Sequence, residues 1–432
     1  MTKITVTRSP HTVFKSRPVD STTLSSGQKV EVQHGQSFQV QTLRQEGNHY
    51  FVRLAQPIPP VGQVGYFFVP HVQIDRQEIH GVWLTNIDSE VLFSLDNIKA
   101  ALTTLRELGF NTLYPTVWQG GYTLYPSAIA EPLVGAKIHP EPRLQGRDML
   151  AELVTEGHNQ GFRVIPWFEF GLMTPTDSDL AQNHPELLTQ TIDGNRASDA
   201  LGCAWLNPVH PTVQEFIVNL IADVVERYDV DGIQLDDHFG LHVKQGYDDL
   251  TKNLYRNEKG TNPPANETDA AWVSWRAGKI TDLLQQIFNE VKAQRRDQAT
   301  GRECCLSISP GGAQSFSYTQ YLADWQRWER SGFIEELVPQ FYRTTRSAFS
   351  AEARKPEVIV ARDHIPTLLG IGASIDGQPM SFDLIRQQVE ETRSQRFAGM
   401  SFFFYESLWN LRPATETKGD RQEAFKQLLN LI

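Results

Sequence analysis

The chain has 432 residues, of which 40% are hydrophobic and 21% charged, and its formal net charge is −11. This composition is typical of a folded globular protein, and the acidic balance argues against nucleic acid as a partner because phosphate binding depends on clustered Lys and Arg. No stretch reaches the ~18 apolar residues of a membrane span, so membrane insertion is not expected. The 3 cysteines form neither a disulfide framework nor a cysteine zinc motif.

Residues 1–75 show the alternating polar and apolar pattern of β-strands, interrupted by turns rich in Gly, Pro, Asn and Ser. No segment has helix length, so this region predicts a small antiparallel β-barrel domain. Its size and its closing segment, 65–70, resemble bacterial SH3-like domains. The first seven residues lack the apolar core of a secretory signal. The sequence predicts a soluble protein but does not fix its location, which is the periplasm or the exterior if a leader was removed and the cytoplasm otherwise. The predicted strands are 4–6, 29–32, 37–40, 50–54 and 66–69.

From residue 79 onward the pattern changes to strands that alternate with helices. Eight strand candidates, each followed by a helix candidate, predict a (β/α)₈ TIM barrel over residues 76–432. Two insertions, 120–146 and 241–268, leave its C-terminal face and are expected to shape a cleft. The strand candidates are 81–85, 112–117, 164–170, 232–236, 304–309, 337–342, 365–371 and 399–405. The helix candidates are 95–108, 147–159, 213–228, 270–295, 318–330, 347–361, 382–397 and 421–429.

Carboxylates follow three of the predicted strands. Asp236 and Asp237 end the fourth strand, Glu169 ends the third, and Glu406 follows the eighth. The C-terminal strand ends of a TIM barrel converge on one face, where its active site lies. Glycosidic cleavage requires one acid that protonates the leaving oxygen and one carboxylate that supplies or activates a nucleophile. These four acids are therefore the predicted catalytic residues, with Asp236 as the first choice.

Each acid also has a structural interpretation. Asp236 could cap a helix, Asp237 could orient a loop or hold His238, and Glu169 could pair with an arginine. Without such a partner, burial of Glu169 in its apolar segment would raise its pKa toward that of a usable general acid. The same reasoning applies to Glu406, which follows an aromatic strand.

Polar and aromatic side chains near the same strand ends are predicted to bind the substrate. Aromatic faces stack on the C–H side of sugar rings, while polar groups bond the hydroxyls. No HxH or HExxH spacing supports metal binding by His238, so a hydrogen-bonding role is expected for it, and neither a metal nor a cofactor is predicted. The predicted substrate-binding residues are Trp83, Asn86, Trp118, Tyr122, Trp167, Asn207, His238, Gln340, Tyr342, Tyr405 and Trp409.

Several segments within residues 79–430 form a specific set when taken in order. They are 81–85 (GVWLT), 111–118 (NTLYPTVW), 122–127 (YTLYPS), 205–208 (WLNP), 231–237 (DGIQLDD) and 403–407 (FFYES). As a set they resemble the glycosyl hydrolase-like 10 family of bacterial glycosidase-like barrels. The resemblance implies a TIM barrel that hydrolyses O-glycosidic bonds. Related proteins have been linked to cell-wall glycan strands, which would suit cell-wall contact through an SH3-like N-terminal domain.

Residues 231–238 also resemble two other glycosidase motifs, with departures from each. The chitinase-type DxxDxDxE motif has acids where Gln234 and His238 stand, so substrate-assisted cleavage is not expected. In α-amylase-type barrels the residue at Asp236 is the nucleophile, but the fifth strand here ends at Ser309 and offers no partner glutamate. The acid/base is therefore expected among Glu169, Asp237 and Glu406.

Two functions stay open at the level of sequence. One is a glycoside hydrolase acting on a bacterial polysaccharide, with the glycan strands of peptidoglycan as one option. The other is a non-catalytic carbohydrate-binding barrel. A metal-dependent amidase or deacetylase would require clustered histidines that the sequence lacks.

Overall fold

The computed structural model describes residues 2–75, 77–197, 202–296, 304–375 and 377–430. The chain divides into two compact units, Met1–Glu78 with Ile359–Thr367, and Ile79–Val358 with Leu368–Ile432. Within the described ranges, every helix is too short or too polar to cross a bilayer.

The first unit contains one antiparallel sheet of seven strands in the order β3-β2-β6-β5-β4-β1-β7. Its interior is apolar, with Phe14, Val52, Leu54 and Phe67 fully buried. β2 and β7 were not predicted, because each is short and follows closely on a proline, so sheet pairing rather than a local pattern fixes them. The strands are β1 (Thr2–Val6), β2 (His11–Lys15), β3 (Lys29–Gln33), β4 (Ser37–Glu46), β5 (His49–Ile58), β6 (Gly62–Phe68) and β7 (Val72–Asp75).

The second unit is a mixed α/β structure with fifteen short strands in the described part of the chain. They are β8 (Ile79–Leu84), β9 (Thr112–Pro115), β10 (Trp118–Gln119), β11 (Tyr122–Thr123), β12 (Arg163–Val164), β13 (Trp167–Phe168), β14 (Met173–Pro175), β15 (Cys203–Trp205), β16 (Gly232–Asp236), β17 (Cys305–Ser309), β18 (Glu336–Leu337), β19 (Leu368–Gly372), β20 (Ser374–Ile375), β21 (Gln378–Pro379) and β22 (Gly399–Phe403).

The second unit contains two parallel sheets. One has the order β12-β9-β8-β22-β19 and the other the order β13-β16-β17-β18. Isolated parallel bridges link them, Thr116 with Trp167 at one edge and Gln340 with Gly370 at the other. Through these pairings and bridges, each parallel strand has its carboxyl end next to that of the following strand, in the order β8, β9, β12 with β13, β16, β17, β18, β19 and β22.

Helices follow most of the parallel strands, and their buried faces recur at helical spacing. In α5, for example, Phe216, Leu220 and Val224 are buried, and Pro211 begins the helix. The helices are α1 (Leu95–Glu107), α2 (Glu131–Val134), α3 (Met149–Asn159), α4 (Asp179–Asn183), α5 (Pro211–Arg227), α6 (Asp249–Lys259), α7 (Ala270–Arg296), α8 (Gln314–Tyr321), α9 (Trp325–Arg330), α10 (Arg346–Ala353), α11 (Pro356–His364), α12 (Phe382–Ser394), α13 (Tyr405–Trp409) and α14 (Lys418–Leu429).

Three predicted elements are divided in the structure. The strand predicted at 164–170 consists of β12 and β13, because Pro166 between them has no N–H for the ladder. The helix predicted at 318–330 breaks into α8 and α9 at Leu322, whose φ of 55° is left-handed. The helix predicted at 347–361 ends before Pro356 and restarts as α11.

Candidate active site

Strand register places Glu169 beside Asp236. In the pairing of β13 with β16, Phe168 lies opposite Leu235, so the next residues are Glu169 and Asp236. Asp236 in turn lies opposite Ser309 at the end of β17. Glu169 is the first residue after β13, and Asp236 is the last residue of β16. The charge of Glu169 contributes to the raised pKa of Asp236, so the two acids lie within electrostatic reach of each other.

Asp236 is buried, with only 3% of its surface exposed. Gln340 Nε2 donates a 2.6 Å hydrogen bond to its Oδ1 and is also 3.2 Å from the carbonyl oxygen and the hydroxyl of Ser309. Burial and the neighbouring charge of Asp237 raise the pKa of Asp236, while His238 acts in the opposite direction. Asp236 is thus held in a fixed orientation by one amide donor.

His238 lies among three acidic residues. Its Nδ1 is 3.0 Å from the backbone oxygen of Glu169, 3.4 Å from Asp237 Oδ1 and 3.6 Å from Asp236 Oδ2. Burial lowers the pKa of His238, but the charge of Asp237 and the contact with Asp236 outweigh it and raise that pKa to about 10. The imidazole is therefore protonated at neutral pH and donates hydrogen bonds.

Asp236, Asp237 and His238 together could hold a cation. Each of the three side chains offers one ligand atom, and these atoms lie within 4.8 Å of one another. A metal would have to displace the proton from the histidine nitrogen, because imidazole binds metals in its neutral form. The raised pKa of His238 favours the proton, and the absence of a metal stays a prediction.

Glu169 is half-buried and is bound by two threonine hydroxyls. Thr116 Oγ1 donates to Glu169 Oε2 at 3.0 Å and Thr85 Oγ1 at 3.5 Å. Burial raises the pKa of Glu169 to about 7, although these hydrogen bonds and the charge of His238 lower it. A carboxyl group with this pKa carries a proton part of the time near neutral pH and can donate it to a leaving oxygen.

Tyr342 and Phe403 form an aromatic pair next to the acids. Their rings stack with centroids 5.4 Å apart and an interplanar angle of 21°, and both residues are half-buried. Burial and the negative charges of Asp236, Asp237 and Glu169 raise the pKa of Tyr342. Tyr342 therefore lies within electrostatic reach of all three acids.

Gly311 is a site residue that the sequence did not identify. A Cβ atom at this position would be 2.6 Å from Asp237 Oδ2, so the carboxylate occupies the space that a side chain would fill. The segment 309–312 resembles a phosphate-binding loop only loosely. Its glycine instead permits the close approach of the loop to the acid.

Glu406 lies apart from the Asp236 cluster. It is the second residue of the helix α13 rather than the end of a strand, and its carboxylate accepts a 3.2 Å hydrogen bond from Ser89 and one from Asn410. It lines a cavity of about 520 Å³ whose lining does not include Asp236, Asp237 or Glu169. The cavity is lined by Asn86, Ile87, Asp88, Ser89, Glu90, Phe93, Gln119, His139, Glu141, Arg143 and Glu406.

One predicted substrate-binding residue, Asn86, lines this cavity. Asn86 donates from Nδ2 to Gln119 Oε1 at 3.3 Å, and it directly follows Thr85, which contacts Glu169. A residue that lines the cavity is therefore the chain neighbour of a residue that contacts Glu169.

Two predicted substrate-binding tyrosines have other contacts. Tyr122 is half-buried and donates from its hydroxyl to Asp179 at 2.7 Å, and Tyr405 packs its half-buried ring edgewise on Trp409.

Five predicted substrate-binding residues are buried in the structure, and their contact with substrate stays a prediction. Trp83 donates from its indole nitrogen to Gln234 at 2.7 Å and Trp118 donates to the Gly171 carbonyl at 3.2 Å. Asn207 donates to Asp248 at 2.9 Å. The sequence places each near a strand end but does not show which way its side chain points. The five residues are Trp83, Trp118, Trp167, Asn207 and Trp409, all with 2% exposure or less.

Comparison with solved structures defines the class of fold. The structure of the glycoside hydrolase domain of PgaB (BpsB) from Bordetella bronchiseptica matches with a TM-score of 0.58 and 14% identity, covering 82% of this chain and 100% of that domain. The catalytic domain of a beta-amylase from Paenibacillus polymyxa matches with a TM-score of 0.54 and 13% identity, covering 81% and 97%. At these identities the likeness shows the fold alone, a type that glycoside hydrolases use.

Comparison of the amino-acid sequence with known families identifies the family of this chain. The model of the family described as Glycosyl hydrolase-like 10 matches residues 78–386, and the chain belongs to this family. Glycosyl hydrolase DigH of Escherichia coli (strain K12) is 26% identical over 318 residues, which is 62% of this chain and 66% of DigH. Glycosyl hydrolase YngK of Bacillus subtilis (strain 168) is 26% identical over 310 residues, 64% of this chain and 56% of YngK. The match spans just under two thirds of DigH, and these relatives support a glycoside hydrolase.

Proposed function

We propose that this protein is a glycoside hydrolase that cleaves O-glycosidic bonds of a bacterial polysaccharide, with the glycan strands of peptidoglycan as its substrate. The observation that supports the proposal is the pairing of β13 with β16, after which Glu169 and Asp236 follow, together with the contacts of His238 with the Asp236 carboxylate and the Glu169 backbone oxygen. Such a pair meets the chemical requirement of glycosidic cleavage, which is one proton donor and one carboxylate.

Glu169 is the proton donor in this proposal. Its pKa of about 7 leaves a proton on the carboxyl group in part of the molecules near neutral pH. The hydroxyls of Thr85 and Thr116 hold one of its oxygens. The other oxygen is then available to the glycosidic oxygen of the substrate.

Asp236 is the carboxylate partner. Gln340 and His238 both stabilise its ionised form, against the burial and the charge of Asp237 that raise its pKa. The transition state of glycosidic cleavage develops positive charge on the sugar ring, and this charge would further stabilise the ionised form. Asp237 keeps His238 protonated, so its role is to position and charge the histidine.

The strand connections support a closed (β/α)₈ barrel as the scaffold of this site. Two parallel sheets, linked at both edges by the bridges Thr116–Trp167 and Gln340–Gly370, would form one ring of strands. The active sites of such barrels lie at the carboxyl ends of the strands, where Glu169 and Asp236 lie. For the antiparallel N-terminal unit we propose an SH3-like module that contacts the cell wall.

The experiment is a hydrolysis assay of the full chain on a panel of bacterial glycans that includes peptidoglycan strands freed of their peptides. Release of new reducing ends from these strands, lost in Asp236→Asn, is the expected result. Binding of the strands without turnover would support the carbohydrate-binding barrel instead. Unchanged turnover in Asp236→Asn would remove this residue from the mechanism.

A further inference from the structure

Phe316 is an exposed aromatic residue near the candidate active site. It lies in α8 with 48% of its surface exposed. In the described ranges, every other Phe, Tyr and Trp is buried or half-buried. The tryptophans that the sequence offered as sugar-binding platforms are inaccessible, so Phe316 is the ring that solvent and ligand reach most easily.

The backbone between β17 and α8 brings Phe316 close to Asp237. β17 ends at Ser309, the strand partner of Asp236. Two residues later Gly311 packs against the Asp237 carboxylate, and a Cβ atom on Gly312 would be 3.9 Å from Phe316 Cδ1. Two consecutive glycines therefore lie between the ring and the acid, with Gly311 on the side of Asp237 and Gly312 on the side of Phe316.

A series of ring contacts also connects Phe316 with the protonated histidine. The centroids of His238 and Trp205 are 6.3 Å apart, those of Trp205 and Tyr321 6.0 Å, and those of Tyr321 and Phe316 6.0 Å. The contact between Tyr321 and Phe316 is edge-to-face at 62°. This contact fixes one edge of the phenyl ring, while nearly half of its surface stays uncovered.

We propose that Phe316 is a stacking platform for a sugar residue of the glycan strand, at a position beyond the cleaved bond on the Asp237 side. This inference rests on the proposed function. A single exposed apolar residue is ordinary on a protein surface, but this ring continues the candidate site through Gly311 and Tyr321. The C–H face of a pyranose is an apolar partner suited to an aromatic face.

The platform acts only on strands long enough to reach it. The test uses peptide-free peptidoglycan glycan strands fractionated by length and measures kcat/KM for long strands and for the shortest strand that wild type cleaves. In Phe316→Ala and Phe316→Leu we expect the ratio of long-strand to short-strand kcat/KM to fall roughly tenfold. Phe316→Trp should keep the ratio, because it restores an aromatic face. Ser315→Ala, on another face of the same helix and also exposed, is the matched control and should equal wild type.

Binding separates this inference from the proposed function. Calorimetric titration of Asp236→Asn with long strands should show weaker binding when Phe316→Ala is added. An unchanged length ratio and unchanged binding in the Phe316 variants would overturn the platform, while loss of turnover in Asp236→Asn would leave the proposed function standing. Wild type that neither binds nor cleaves the strands would overturn both. An equal loss in Phe316→Trp and Phe316→Ala would show a packing effect and would also overturn the platform.

Discussion

Gln340 Nε2, just beyond the end of β18, donates a 2.6 Å hydrogen bond to Asp236 Oδ1 at the end of β16, and β17 lies between these two strands. The same nitrogen is near the carbonyl and the hydroxyl of Ser309. Gln340 therefore connects the ends of β16, β17 and β18 and fixes the carboxylate in one orientation. Hydrogen bonds to charged groups contribute about 1.5–3 kcal/mol.

Replacement of this donor should slow catalysis and change its pH dependence. In Gln340→Ala we expect kcat/KM to fall roughly ten- to hundredfold. The remaining activity should need a higher pH, because the ionised form of Asp236 loses a stabilising donor and its pKa rises further. A pH profile of kcat/KM measures both effects. A pH profile identical to that of wild type would show that Gln340 does not act through Asp236.

The pKa of Glu169 predicts an alkaline limit on activity. Since burial raises this pKa to about 7, the carboxyl group is protonated below that value and loses its proton as the pH rises through it. We expect kcat/KM to decline above about pH 7 and Glu169→Gln to abolish this decline along with roughly 10²–10⁴-fold of the rate. Thr116→Val removes a hydrogen bond that lowers the pKa, so its alkaline limit should move upward. A shift downward would contradict the assignment.

His238 should contribute to stability in a defined pH range. Its pKa is raised from 6.5 in the unfolded chain to about 10 in the folded protein. The contribution is therefore complete below about pH 6.5 and is lost as the pH rises toward 10. The difference in thermal midpoint between wild type and His238→Gln should be largest near pH 6 and shrink toward pH 10. A difference that grows with pH would mean that His238 is neutral.

Gly311 should be intolerant of a side chain. In Gly311→Ala the new Cβ atom would be 2.6 Å from Asp237 Oδ2, so either the loop or the carboxylate must move. We expect activity to fall more than tenfold, because the carboxylate of Asp237 is displaced, and a larger displacement should cause a larger loss. Gly278→Ala is the control, because a Cβ atom added there would have no neighbour within 4 Å and the residue lies inside α7. That variant should be fully active and slightly more stable, by about 0.5–1 kcal/mol.

Trp83 tests whether a buried residue that was predicted to bind sugar acts through packing instead. In Trp83→Phe the side-chain oxygen of Gln234 loses its indole donor in the core. We expect the free energy of unfolding to fall by about 1–3 kcal/mol, with KM for glycan strands unchanged. Denaturant unfolding and steady-state kinetics measure the two quantities. A raised KM with unchanged stability would restore the substrate-binding role.

The positions of the acids could be predicted from the sequence because the strands that precede them have clear hydrophobic patterns. β16 is observed over the predicted residues, and the acids follow buried hydrophobic runs. The family resemblance was confirmed by the match over residues 78–386. The SH3-like assignment of the N-terminal unit and the closed barrel stay predictions.

Side-chain direction and long-range contacts were beyond the reach of the sequence. Trp83 and Trp118 follow the pattern of strand ends, but only the packed structure shows that their rings point into the core. The antiparallel pair of β14 and β15 was missed because it joins residues about thirty positions apart in the sequence. Glu406 was predicted to follow a strand end directly, yet it lies inside α13, because the helix begins at Tyr405.

The most direct test of the paired acids compares Glu169→Gln, Asp236→Asn and Glu406→Gln in one assay on peptide-free glycan strands. We expect the first two variants to lose at least about a hundredfold in kcat, whereas Glu406→Gln, whose carboxylate lines a cavity that Asp236 and Glu169 do not line, should lose less than about tenfold. Full loss in Glu406→Gln with retained activity in Glu169→Gln would show that Glu169 is not the proton donor.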